Sequence, residues 1–269
     1  MVTTVVIAVV ALVGGLVVNW LLKKRRRLDT GEALTIRDLS SPMETLAVLL
    51  LAFVLVVAAE SYSAAEEAVR VEANVVDNFF EVAEFAPQPA ARTLQGATVC
   101  YARAVLAYEW PVLEDGGGSS GKPSTWSTQF RAVFKEIGAD NGVFETLVQA
   151  DRDRSDARSQ RIAQATPAIP AVLYWFMVLS LAVMVVAFAF NLPARGKGAE
   201  VVGLVVLTAL VTLSLLLIRD VDRPFGGAIG ISSDAMAHTE ADIAEDFTDA
   251  YGEDALPCDT EGNRRENRP

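Results

Sequence analysis

Cysteine and histidine are nearly missing from this chain. Its 269 residues hold two cysteines, Cys100 and Cys258, and a single histidine, His238. They form no CxxC pair and no Cys/His cluster, so a zinc centre built from protein ligands is nearly excluded. A histidine-based catalytic triad fails for the same reason. Basic surplus is also lacking: the formal net charge is −11. A chain this acidic, without a basic face, does not neutralise phosphates, so no nucleic-acid partner is expected. No segment alternates polar and apolar residues with period two, which argues against strands.

What the chain has instead is apolar length. Four runs dominate: Val2–Leu22, Met43–Ala59, Ile169–Phe190 and Val201–Ile218. A bilayer core about 30 Å thick takes about 20 apolar helical residues to cross. None of the runs carries an Asp, Glu, Lys or Arg at its centre. The second is short, with a strict core of Leu46–Ala59, and an interfacial helix is the alternative. It reads as a span because it belongs to a longer helix that can tilt and overhang. A cleaved signal peptide fits Val2–Leu22 badly, since no basic residue precedes the run and no small-x-small site follows it.

Charge sets the expected orientation. Lys23, Lys24, Arg25, Arg26 and Arg27 follow the first run directly, and such clusters stay cytoplasmic. Arg195 and Lys197, in the short turn between runs three and four, agree. The region Glu60–Arg161 has ten bases against sixteen acids, and Arg219–Pro269 has five against thirteen. Both acidic regions then fall outside the cell. The expected localisation is a multi-pass plasma-membrane protein with its soluble domain and C-terminus extracytoplasmic.

Between runs two and three the pattern is helical. From Met43 to Phe85 there is neither glycine nor proline. Ser41 and Pro42 suit the start of a helix as cap and first-turn residue. Val69, Ala73, Val76, Phe80 and Ala83 recur at spacings of three and four, against Glu67, Arg70, Asn74, Asp77, Glu81 and Glu84. Met43–Phe85 would extend about 65 Å. A second helix is expected over Ala90–Glu109, broken or kinked at Trp110-Pro111. Glu114–Ser124 reads as a flexible Gly/Ser loop. Further helices start near Ser124 and Val143. Asp151–Arg161, with both signs mixed, reads as a solvated face whose arginines pair within the helix. Ala235–Tyr251 suits a short acidic helix, and the last fifteen or so residues read as disordered.

The expected fold class is all-α: a polytopic membrane protein of four transmembrane helices, with a helical soluble domain inserted between spans two and three. The expected domains are 1–59 (spans one and two with the basic loop), 60–167 (soluble domain), 168–233 (spans three and four with an interfacial motif) and 234–269 (acidic tail).

The most distinctive string is Arg219-Asp220-Val221-Asp222-Arg223-Pro224-Phe225-Gly226-Gly227. Pro224 stops a helix, and Arg223 is placed to pair with Asp220 or Asp222. The plainer reading is a charged stop at a helix end. Within the spans, Thr208, Thr212 and Ser214 are candidate pore hydroxyls; bonding to their own or a neighbouring helix is the competing reading. Gly14, Gly15 and Gly203 permit close helix approach. The spans carry no ionisable residue at their centres, which argues against a pump or ion-coupled transporter but leaves a channel open. Glu109 and the Glu114-Asp115 pair form no catalytic constellation, so no enzyme, cofactor or metal is expected. If the outer compartment is oxidising, Cys100 and Cys258 can pair and tether the tail; one buried and one free thiol is the alternative.

The Asp222-Arg223-Pro224-Phe225-x-Gly227 string resembles the bestrophin-like family of bacterial membrane proteins. The basic first loop, the long helix leaving span two and Tyr108-Glu109-Trp110-Pro111 agree with it over roughly 42–233. The resemblance implies kinship with bestrophins, which are pentameric anion channels with their helical domain in the cytoplasm. The implied function is a homo-oligomeric ion channel, with a small anion and the lipid bilayer as partners. The side of the membrane it implies for the domain opposes the one that the charges give. A membrane-anchored sensing or protein-interaction module is the alternative function.

Overall fold

The structure is a computed structural model that describes residues 2–25, 33–191 and 198–265. Arg26, Arg27, Arg195 and Lys197, on which much of the charge argument rests, lie outside the described residues. The described residues are mostly helical: α1 (Val2–Arg25), α2 (Ala33–Ala83), α3 (Ala90–Ala104), a π-turn (Val105–Glu109), α4 (Trp110–Glu114), α5 (Lys122–Ile137), α6 (Phe144–Gln164), α7 (Ala171–Asn191), α8 (Gly198–Val221), α9 (Asp234–Tyr251) and a short 3-10 turn (Glu253–Ala255). Among the described residues there is no strand, only an isolated bridge between Cys258 and Arg264. Four helices, α1, α2, α7 and α8, are long and apolar enough to cross a membrane.

The chain divides into two compact units. The first comprises 1–60 and 167–222. Here α1, α7 and α8 pack on one another, and α2 joins through Ala47, Val54 and Ala58 against Met177, Leu181 and Ile218. The direction of α1 against α7 is fixed by two polar contacts. Thr4 Oγ1 meets Tyr174 Oη at 2.9 Å, and Asn19 Nδ2 donates to the Ala189 carbonyl at 2.7 Å. Both pairs are 170 residues apart, so the two helices run parallel. Spans one and three therefore cross in the same sense, as an alternating four-span path requires. Gly15 makes this packing close: an added Cβ would lie 2.8 Å from Ala189 Cβ. Gly14 and Gly203, expected to act alike, have nothing within 4 Å of that position.

The second unit comprises 61–166 and 223–269. Its core gathers Phe79, Leu94, Tyr101, Trp126, Phe130, Leu147 and Phe247. Phe79 and Phe130 meet edge-on at 4.8 Å, a favoured aromatic geometry. The apolar stripe expected on α2 (Val69, Ala73, Val76, Phe80, Ala83) is buried in this core.

Three local expectations change. Helix α2 begins at Ala33, so Ser41 and Pro42 lie within it rather than at its start. The preceding Ala33–Ser40 stretch contains no glycine or proline, and a 51-residue helix tolerates one missing donor at about 3 kcal/mol. Helicity also runs through Trp110-Pro111. The π-turn just before it carries the Trp110 N–H to the Val105 carbonyl, five residues back, and this widened turn accommodates the proline ring. Finally, the described part of the tail, up to Arg265, is folded into the second unit, and the rest of that expectation lies outside the described residues. Cys258 is disulfide-bonded to Cys100 on α3, 158 residues away in sequence, and both are fully buried. Trp126 Nε1 donates to the Gly262 carbonyl at 3.0 Å, Arg103 Nη1 to the Asp259 carbonyl at 3.3 Å, and Tyr108 Oη to Glu261 at 2.9 Å. Composition suggested disorder because these anchors are cross-chain and invisible to local polarity.

Candidate functional site

The span hydroxyls close onto their own helix. Thr208 Oγ1 donates to the Leu204 carbonyl at 2.8 Å, Thr212 Oγ1 to the Thr208 carbonyl at 2.7 Å, and Ser214 Oγ to the Leu210 carbonyl at 2.9 Å. Each is the four-back bond a hydroxyl makes in an apolar medium. Thr208 and Thr212 also border a cavity of about 20 Å³, with Thr4, Val178 and Leu181 opposite. That is room for about one water. Ser214 does not line it.

The interfacial motif straddles the end of α8. Arg219 stacks over the Tyr174 ring at 5.5 Å, Asp220 is buried, and Asp222 accepts the Ile169 N–H at 3.0 Å. These contacts tie the end of α8 to the entry of α7, all within the first unit. Arg223, which opens the next segment of the second unit, is exposed. Pro224 and Phe225 are buried, and Phe225 meets Trp110 edge-on at 5.6 Å. The Pro224 carbonyl accepts the Ile231 N–H at 2.7 Å, which closes a turn over half-buried Gly227. At Gly226 an added Cβ would collide with the Glu114 carbonyl, so glycine is needed for this approach. The string is therefore divided between the units: Arg219–Asp222 brace the end of α8 within the first, and Pro224–Gly227 pack within the second.

Sequence reasoning missed the densest polar arrangement in the second unit. Glu72 on α2, Glu109 on the π-turn and Arg161 on α6 are fully buried. Arg161 pairs with Glu72 through Nε and with Glu109 through Nη2 at 2.5 Å. Arg158 pairs with Glu109 at 2.5 Å, and Tyr101 donates to Glu72 at 2.7 Å. Arg154, 1% exposed, bonds Asp151 and Ser127 and stacks 4.5 Å over Tyr101. The Asp151–Arg161 stretch keeps a solvated face in Arg152, Asp153, Ser155 and Asp156, but Arg154 and Arg161 on its other side are buried. Among the described residues the Arg154–Asp151 ion pair stays within the helix, whereas Arg158 and Arg161 reach across the bundle. The signal was present in spacing: Leu147, Ala150, Arg154, Ala157 and Arg161 form one buried stripe. Glu72 likewise sits within the apolar stripe of α2, three residues after Val69 and four before Val76.

The electrostatics follow from this enclosure. Burial alone would raise the Glu109 carboxyl; the hydrogen bond from Arg158 and the charges of Arg161 and Arg158 outweigh it and hold Glu109 below the usual carboxylate range. Arg161 is pushed further up despite its burial, by Glu72 and Glu109. Burial and the adjacent Glu72 charge raise the Tyr101 hydroxyl far above its ordinary value. All three residues keep their ordinary neutral-pH protonation, so this is a fixed ionic core, not an acid–base pair.

Four membrane-length helices and a helical second unit, built from the segment between spans two and three and the segment after span four, define a polytopic α-helical membrane protein. The Bestrophin-like domain family matches residues 5–236, and the chain belongs to that family. A crystal structure of a bacterial bestrophin homologue from Klebsiella pneumoniae, carrying a point mutation, is similar in fold at 11% identity and a TM-score of 0.64. The match covers 92% of this chain and 97% of that one. No curated protein matches the sequence.

Proposed function

We propose that the protein is a homo-oligomeric ion channel, selective for anions, whose second unit lies outside the cytoplasm, and that it is not an enzyme. Family membership over residues 5–236 carries the channel reading. The bestrophin kinship implies the anion and the oligomer. In this reading Arg219–Gly227 is the motif at the mouth of α8, and Thr208, Thr212 and Ser214 are the span hydroxyls nearest the conducting path. The outward orientation is supported by the Cys100–Cys258 disulfide, because such bonds persist in oxidising compartments.

Purified oligomers in planar bilayers are expected to show unitary currents whose reversal potential follows the chloride gradient. A well-folded oligomer that stays silent would reject conduction. A reversal potential that follows the cation gradient would reject anion selectivity. A stable monomer would reject the assembly and favour a membrane-anchored interaction module.

A further inference from the structure

We infer that residues 116–121 form a lid over the ionic core, latched by the Arg158–Glu109 pair. The glycine-rich segment was expected to be flexible, yet the pair holds both backbone groups of Ser120. The Ser120 N–H donates to Glu109 Oε2 at 3.2 Å, and the Ser120 carbonyl accepts from Arg158 Nη2 at 2.9 Å. A third contact, Arg158 Nη1 to Ser124 Oγ at 3.1 Å, fixes the start of α5 beside it.

The rest of the segment is loosely held. Gly116 has a φ of +80°, and at Gly116, Gly118 and Gly121 an added Cβ would meet nothing within 4 Å. At its near end the segment is anchored through the N–H groups of Gly116 and Gly117, which donate to the Leu113 carbonyl at 3.0 Å and the Val112 carbonyl at 2.7 Å. Glycines therefore flank the latch on both sides, which is the composition of a hinge.

Beneath the latch the environment changes abruptly. Glu72, Glu109 and Arg161 have no side-chain exposure, whereas Arg158 is 15% exposed. Arg158 is thus where this chain of charges reaches water. With the latch closed, the inner pairs are shielded from solvent and strengthened by it. With it open, water reaches the carboxylate of Glu109 and, behind it, Arg161. Glu109 keeps Arg161 as a partner in either state, so the lid can open without leaving a bare buried charge. The inference stands whether or not the protein conducts ions.

Hydrogen–deuterium exchange on the full-length protein in nanodiscs tests it. In the wild type, the Ser120 amide is expected to exchange about tenfold or more slowly than that of Gly118, as a latched donor must. Arg158→Lys keeps the charge beside Glu109 but cannot bridge to Ser120 and Ser124 together. Peptides covering 116–121 should then exchange faster while those covering 252–265 stay unchanged. Equal exchange at Ser120 and Gly118 in the wild type would overturn the latch without reference to any variant. Unchanged exchange over 116–121 in Arg158→Lys would also overturn it.

Discussion

At the residue scale, the Glu72–Arg161 pair is expected to behave as a buried ion pair does: costly to break, dispensable if removed whole. Glu72→Leu leaves Arg161 with half its partners and is expected to destabilise the second unit by about 3–5 kcal/mol. The double variant Glu72→Leu/Arg161→Leu should recover much of that loss, because matched apolar side chains often replace such pairs at little cost. Thermal melts of the two proteins check this, and a double variant no more stable than the single would contradict it. Glu109 makes a second expectation. A carboxyl held below its ordinary pKa stabilises the fold fully above the unfolded value, and that contribution fades as pH falls through the lower, folded value. Glu109→Gln should therefore melt well below the wild type at pH 7, with the gap closing only as pH drops below about 4. A gap independent of pH would mean the charge of Glu109 contributes nothing. Glu72 did not stand out in sequence, and Glu109 did so only as a weighed catalytic acid and in the Tyr108–Pro111 string, because patterning treats an acid or arginine as a marker of the wet face. What overrides the rule is a partner on another helix, and partners 89 and 52 residues away leave no local trace.

At the element scale, periodicity made the long helices legible. The stripe on α2 follows from apolar residues three and four apart, and the helices starting near Ser124, Val143 and Ala235 are present as α5, α6 and α9. Their ends were less so. The start of α2 was misplaced to Pro42 because a proline suits a first turn as well as it can be endured inside a long helix. The π-turn before Pro111 was hidden because nothing in local composition distinguishes a widened turn from a break. The C-terminal strap was the largest miss. Its stability comes from one covalent link and from backbone approach: at Gly262 an added Cβ would lie 2.5 Å from the Ala104 nitrogen. Cys258→Ser is expected to cost about 2–5 kcal/mol and to free the strap from α3. Limited proteolysis should then cut within 252–265, where the wild type resists. Equal resistance in both proteins would show that the hydrogen bonds of Trp126, Tyr108 and Arg103 hold the strap unaided.

At the scale of the whole molecule, the open matter is which face of the membrane carries the second unit. Two arguments of different origin agree. The first is the charge asymmetry of the loops, with Lys23–Arg27 beside span one and Arg195 and Lys197 between spans three and four. The parallel run of α1 and α7 agrees with this asymmetry, since the two helices end at the same end of the first unit. The second argument is chemical. A disulfide joining α3 to the strap is expected where thiols are not kept reduced. Ser119 lies exposed in the glycine-rich loop of the second unit and is a suitable reporter. A Ser119→Cys variant should react with a membrane-impermeant maleimide in intact cells, to the same extent as after lysis. Protection in intact cells with reaction only after lysis would place the unit in the cytoplasm. In that case the disulfide should also be absent from protein extracted under thiol-blocking conditions, since a reducing compartment would keep Cys100 and Cys258 apart. Labelling of the Ser119→Cys variant in intact cells, together with an intact Cys100–Cys258 bond, is the joint outcome that the outward orientation requires.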